Sequence, residues 1–353
     1  MSSNGTIVKG ATRLEWIDSL KGISILLVVY YHCIILPYTA PFKSELFSKT
    51  IFDSFNYFIA YNLAPLRMPL FFMISGFLVS SSVVRKSWKE VSEKRIYILV
   101  YVFVLWSIIQ NFSILLLGSE SSQEGLNNSI YAKNIIDFAQ LLALGSNSLW
   151  YLYALVVYFV VTKLFNKYGL ALLLIAACAS LSLMNWKFPF PYKSMVYCFF
   201  FFALGVFYGG AIFSYVNQLS LKRGLIILAV GLCCTLFMKF VHFEVNIVKS
   251  LVYIYIFTFT VMLLFKFGLK LKILSFLGRR TLPIYIMHRP ILEVTLVIIT
   301  PLITRIDIFN KSEHLLYSLL YPLLATSFCI AIPLLVYRYT SSGFGAYLFS
   351  YKR

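Results

Sequence analysis

Residues 17–37 read Ile17-Asp-Ser-Leu-Lys21-Gly-Ile-Ser-Ile-Leu-Leu-Val-Val-Tyr-Tyr-His32-Cys-Ile-Ile-Leu-Pro37, and only Asp18, Lys21 and His32 in it are acidic or basic. A helix rises about 1.5 Å per residue, so this run is about 30 Å long, the thickness of a bilayer's hydrocarbon core. Nine further apolar runs follow, at 64–84, 95–117, 149–166, 169–186, 194–213, 223–242, 248–267, 282–303 and 315–337. The whole composition agrees: 60% hydrophobic and 12% charged residues, with mean hydropathy +0.82. A soluble domain carries about 45–50% apolar and about 25% charged residues, and a disordered chain the opposite bias. An ordinary soluble enzyme and a disordered protein are both excluded. The expected fold is an all-α membrane protein, a polytopic bundle of about ten transmembrane helices. The stretch 51–63 reads as a re-entrant or interfacial helix, and 118–134 as a long polar loop. Lys21 and His32 inside the first run, with no small-residue cleavage site after it, mark a retained helix and not a signal peptide.

The formal charge of +18 comes from 31 Lys and Arg against 13 Asp and Glu. These basic residues form no stripe for nucleic acid; they lie between the apolar runs. With the N-terminus inside, twenty fall on the cytoplasmic side, nine fall outside, and Arg67 and Arg289 fall within spans. Positive charge concentrates on cytoplasmic loops, so both termini are expected in the cytoplasm. The domain reading is a tail at 1–10, a membrane domain at 11–340 and a second tail at 341–353. All six cysteines sit in apolar runs without C-x-x-C spacing. They suggest no metal site, redox pair or disulfide framework.

An ionisable group inside a span is costly and marks a functional site by default. The candidates are Lys21 and His32 in the first span, Arg67 in the second, and His288, Arg289 and Glu293 in the ninth. Lys21 and His32 are eleven residues apart, three turns, so they share a helix face about 16 Å apart. A structural reading stands beside each. Lys21 and Arg67 could snorkel to the interfaces, His288 could be a satisfied core histidine, and Arg289 with Glu293 could be an i, i+4 pair. Pro69 and Ser75-Gly76 point to a kinked or tightly packed second span, and Gly205 and Gly209 to close packing in the sixth. Leu149-Trp150-Tyr151 is an interfacial belt or a sugar-stacking surface. The basic segments 85–95 and 266–280 follow from topology alone, or dock a polyanionic cytoplasmic ligand.

These residues resemble a known family. Arg13 to Gly22 followed by His32, with a basic residue and a histidine separated by ten positions, resembles the first helix of the acyltransferase family 3 membrane proteins. Met68-Pro-Leu-Phe-Phe-Met-Ile-Ser-Gly-Phe77 resembles its second helix, and Lys94-Arg95-Ile96 the basic start of its third. Leu149-Trp150-Tyr151-Leu152 and Thr281-Leu-Pro-Ile-Tyr-Ile-Met-His288 resemble later segments. The likeness runs over roughly residues 11 to 340. Lysine stands where arginine is common at the basic motif position, and the proline usual shortly after Arg95 is absent.

The resemblance implies an O-acetyltransferase of bacterial surface polysaccharide, O-antigen for example, in the inner or plasma membrane. Acetyl-coenzyme A would be its cytoplasmic donor substrate, with no permanently bound cofactor and no metal. The expected partners are the lipid bilayer, the acyl-CoA, an envelope polysaccharide or lipid-linked sugar, and a separate periplasmic protein. Acyl transfer from a thioester to a hydroxyl needs a base or an acyl carrier, and histidine serves as either. His32 and Lys21 are the catalytic candidates, with Lys21 neutralising or orienting the donor. Arg95, Arg85 and His288 are the donor-binding candidates; Arg67, Ser75, Trp150 and Glu293 line the acceptor site or the pathway. Two other classes compete. A secondary transporter or exporter would also use intramembrane His, Lys, Arg and Glu. A purely structural envelope protein would leave those charges hard to justify.

Overall fold

Stretches this apolar must satisfy their own backbone groups in lipid, and helices do so within one segment. A computed structural model describes residues 15–39, 51–117, 132, 134–182, 189, 191–240, 246–303 and 311–351, and among them there is no strand. The expected tail at 1–10 and most of the polar loop at 118–134 lie outside the described residues. In chain order the helices are α1 (Glu15–Thr39), α2 (Ile51–Tyr57), α3 (Ala64–Arg85), α4 (Trp88–Val91), α5 (Tyr97–Leu117), α6 (Ile135–Leu144) and α7 (Trp150–Leu164). They continue as α8 (Gly169–Ser182), α9 (Tyr192–Gln218), α10 (Leu221–Phe240), α11 (Asn246–Lys266), α12 (Lys272–Gly278), α13 (Thr281–Ile303) and α14 (Lys311–Thr340). π-helical turns at Phe58–Asn62 and Ser92–Ile96 extend α2 and lead into α5.

Seven helices among the described residues are long and apolar enough to cross a membrane, or eight if one bent pair is a single span. The sequence reading expects ten. Its fourth and fifth runs form the bent pair: α7 and the 166–182 segment meet at 82°. With 15 and 14 residues, α7 and α8 are each about 22 Å long, short of the roughly 30 Å core. The ninth run is carried by α13, whose side chains beyond Thr295 lie outside the described residues.

Backbone contact at glycines draws the bundle together. A Cβ on Gly76 of α3 would lie 2.1 Å from the Phe202 carbonyl oxygen of α9, and one on Gly205 would lie 2.0 Å from that of Met73. Small residues let helix backbones meet in lipid, where no hydrophobic force separates protein from solvent. The packing reading of Gly76 and Gly205 therefore holds. Around this crossing Leu70, Phe72, Met73, Ile74, Phe201 and Phe202 are fully buried.

Three segments read as loops or tails carry structure. The 266–280 segment contains α12, whose Gly278 and Leu274 touch the α1 backbone at Asp18 and Gly22. The Ser19 and Ser275 hydroxyls lie 2.8 Å apart. Each is also 2.9 Å from the Glu15 carbonyl. The 85–95 segment contains α4, opened by a reciprocal cap between Ser87 and Glu90. The tail from 341 folds as a short 3-10 helix, Gly343–Leu348. It is tied to α5 where the Tyr101 hydroxyl donates to the Tyr347 carbonyl and the Trp106 indole to that of Leu348.

Candidate functional site

On α1, the three-turn spacing of Lys21 and His32 puts both on one face, and α13 packs along it. There His32 meets His288, with ring centroids 5.3 Å apart. His288 is 3% exposed, and its Nδ1 sits 2.7 Å from the Tyr285 carbonyl and 3.2 Å from that of Ile284. Carbonyl oxygens only accept, so Nδ1 carries the proton and Nε2 holds a lone pair. That Nε2 is buried and has no hydrogen-bond partner among the described residues. A buried acceptor without a partner costs about 1–3 kcal/mol, so this lone pair favours a donor group placed beside it. Among the described residues, these are the two histidines that the fold brings together.

Beyond His32, toward the C-terminal end of α1, the surroundings turn aromatic and cationic. Tyr31 contacts His32 edge-on at 5.2 Å. The Arg67 guanidinium lies 3.7 Å over the Tyr31 ring and donates to the Ala60 carbonyl at 2.6 Å. Ala60 belongs to the π-helical turn, a distortion frequent at functional sites. The same turn presents Tyr61 to Tyr31 and Tyr57. Arg67 is 8% exposed, so a buried guanidinium with a carbonyl and a ring as partners replaces the snorkelling reading. On α13, Arg289 Nε and Glu293 Oε1 pair at 3.0 Å, both buried.

On the Lys21 side of the histidines lies a cavity of about 310 Å³. Its basic end is formed by Lys21, Lys94 and Arg95, and its other end by Phe71, Ser75, Tyr151 and Tyr285. Tyr285 precedes His288 by one turn, so the cavity stops about 5 Å of helix rise short of the histidines. A file of rings continues from there. Phe71 stacks on Tyr151 at 4.8 Å, Tyr151 meets Tyr285 at 5.2 Å, and Tyr285 meets His288 at 5.9 Å.

The hydroxyls at this end are held unequally. The Tyr285 hydroxyl donates to the Ser148 carbonyl and accepts from the Tyr151 backbone N–H. The turn that supplies Ser148 is itself anchored. Ser148 donates to Gln110, Gln110 donates to the Ile286 carbonyl, and Asn147 donates to Ser107 and accepts from the Leu149 N–H. Tyr151 is held through one hydroxyl contact, to Ser75 at 2.8 Å. Ser75 donates to the Phe71 carbonyl, so the shared proton between the two hydroxyls belongs to Tyr151.

The structure therefore divides the expected site residues. Lys21 and Arg95 line the cavity, and Ser75 stands at its far end. His288, expected with the donor-binding residues, stands with His32 instead. Arg85 is exposed at the end of α3 and is no part of the cavity wall. Trp150 opens α7, half-buried, with its ring 5.9 Å from Phe72. Glu293 lies on α13 beyond His288, paired with Arg289. Tyr285 and Phe71 were not singled out in the sequence, and Tyr151 was read only as part of an interfacial belt or sugar-stacking surface, whereas it is buried in the cavity wall. Their only signal is position, since each lies inside a segment already notable for a neighbouring residue. No cluster of metal-ligating side chains occurs among the described residues.

A family profile described as an acyltransferase domain matches residues 14–338. The inner membrane protein YcfT of Escherichia coli (strain K12) is 31% identical over 346 residues, covering 95% of each chain. No solved structure matches.

Proposed function

The chain belongs to the acyltransferase 3 family of membrane proteins, and from that premise we propose that it is an O-acyltransferase of the bacterial inner membrane. It carries an acyl group, acetyl in the first instance, from cytoplasmic acyl-CoA to a hydroxyl of an envelope polysaccharide or its lipid-linked precursor. The observation that carries this reading is the His32–His288 pair one ring, Tyr285, away from a cavity lined by Lys21, Lys94 and Arg95.

In this account both termini are cytoplasmic and ten segments cross the bilayer, which puts the basic end of the cavity at the cytoplasmic face. Arg95 and Lys94 take the phosphates of the donor there, and an arginine fork suits them. Pockets for small molecules run from about 300 to 1,000 Å³, so a cavity of this size suits the slender arm of the donor and not its nucleotide. Lys21 lies along the path of that arm. A ring nitrogen of His32 removes the proton from the acceptor hydroxyl. The oxygen attacks the thioester carbonyl, a C–O bond forms, the C–S bond breaks, and the thiolate leaves and is protonated as the free thiol. His288, held through its Nδ1–H, presents its Nε2 edge beside His32. Arg67 and Trp150 belong to the acceptor side, with Ser75 and Glu293 along the pathway.

The test is mass spectrometry of envelope glycans from cells with and without this gene. Loss of an acyl mass that returns on complementation supports the account. An unchanged glycan, with a solute moved by the purified protein, assigns the chain to transport.

A further inference from the structure

The closed end of the cavity has a consequence for which acyl group is carried. Three rings, Phe71, Tyr151 and Tyr285, line the cavity and touch in series, and the last of them touches His288. All three are buried, at 3%, 5% and 5% exposure. Tyr285 is fixed by two hydrogen bonds to a turn that is itself anchored on α5 and α13. Phe71 lies in the α3 segment clamped by the Gly76 and Gly205 backbone contacts. Tyr151 is different: its ring projects between the other two and its hydroxyl has a single tie, to Ser75.

We infer that Tyr151 is the specificity-determining end wall of the donor cavity and restricts the transferred group to short acyl chains. The inference rests on the acyltransferase reading above. A donor whose phosphates sit at Lys94 and Arg95 threads its acyl end toward the histidines. Carbons beyond the carbonyl then run against Phe71, Tyr151 and Tyr285, which line that part of the cavity. An acetyl group adds one carbon there and a hexanoyl group five. Protein interiors are packed as densely as organic crystals, so those extra carbons have no void to enter. One methylene in a fitted apolar site already changes selectivity by about 10- to 200-fold. Replacing the Tyr151 ring by a small side chain opens the space directly in line with the cavity, while Tyr285 and Phe71 keep its sides.

The experiment is a competition between acetyl-CoA and hexanoyl-CoA, each carrying a different isotope, for transfer by the full chain in inverted membrane vesicles. Wild-type protein is expected to prefer acetyl by at least about tenfold, and Tyr151→Ala to shift the ratio toward hexanoyl by about tenfold or more. Tyr151→Phe keeps the ring and loses the tie to Ser75, and is expected to keep the wild-type ratio. Tyr151→Leu serves if the alanine variant does not elute as a single detergent-solubilised species, with a smaller shift in the same direction. A wild-type preference for hexanoyl overturns the wall. So does an unshifted ratio in every folded variant, or a shift in Tyr151→Phe as large as that in Tyr151→Ala. Acyl transfer by the wild type with such ratios leaves the acyltransferase reading standing. A wild type that transfers neither group overturns that reading, and the wall with it.

Discussion

His288 is the residue whose chemistry the structure defines most tightly. Two carbonyls take its Nδ1–H and leave an unpartnered Nε2 buried next to His32. If that lone pair supports the base, His288→Ala lowers the acyl-transfer rate by about a hundredfold, in the range that proton transfer contributes, with the donor KM unmoved. Initial rates over a range of acyl-CoA concentrations decide it; a rate near wild type returns His288 to the core. The same assay separates Arg95, which lines the basic end. Arg95→Ala raises the donor KM about tenfold and spares kcat. Arg95→Lys recovers part of the loss, because an ammonium restores charge but not the fork. His32 and Lys21 stand out in the sequence because an apolar run has no ordinary use for them. The partnership of His32 with His288 is not readable there, since it joins residues 256 positions apart through helix packing that no local pattern encodes. Tyr151 and Tyr285 are hidden by abundance, being two of 25 tyrosines.

Helices α3 and α9 cross where Gly76 and Gly205 allow their backbones to touch. A side chain at either position has no volume to occupy, so Gly205→Leu forces the pair apart. Overpacking typically costs about 1–3 kcal/mol and here displaces backbone, so a lowered melting temperature and a broadened elution profile are expected for the detergent-solubilised protein. Gly210, also on α9, is the comparison, since a Cβ there would meet only the edge of the Phe77 ring, at 4.0 Å. Gly210→Ala should melt no lower than the wild type, because alanine is favoured over glycine inside a helix. If Gly205→Leu melts like the wild type, the crossing is not the clamp described here. A second element-level device is Lys163 of α7, whose ammonium donates to the Ser82, Val83 and Lys86 carbonyls at the end of α3. Removing that cap in Lys163→Met should cost about 1–2 kcal/mol, read in the same melts. The runs of apolar residues announce most of these helices. They mark a boundary between 166 and 169 but read two separate spans there, where the structure has two short helices meeting at 82°. They do not announce α12, whose seven residues lie among lysines and arginines and owe their helical packing to contact with α1.

At the scale of the whole molecule the account makes the bundle two-sided, with a basic donor end on one face and an acceptor end with Arg67 on the other. That arrangement requires the basic loops, and both termini, to be cytoplasmic. Fusions at the C-terminus should therefore be fluorescent with green fluorescent protein and inactive with alkaline phosphatase, and the reverse pattern would turn the cavity outward. The transmembrane character is legible from composition alone. Sidedness is an expectation from where the lysines and arginines fall, and the fusions test it. The cavity is legible from neither, because its walls come from α1, α3, α5, α7, α9 and α13 and exist only once these pack. The central claim is that this two-sided bundle transfers an acyl group with His32 as the base. Labelled acetyl-CoA, supplied to inverted vesicles containing wild-type or His32→Ala protein at matched levels, tests it most directly. The account predicts at least about a hundredfold less label in the envelope glycan or its lipid-linked precursor for a His32→Ala chain that elutes like the wild type. Wild-type incorporation by that variant would contradict it.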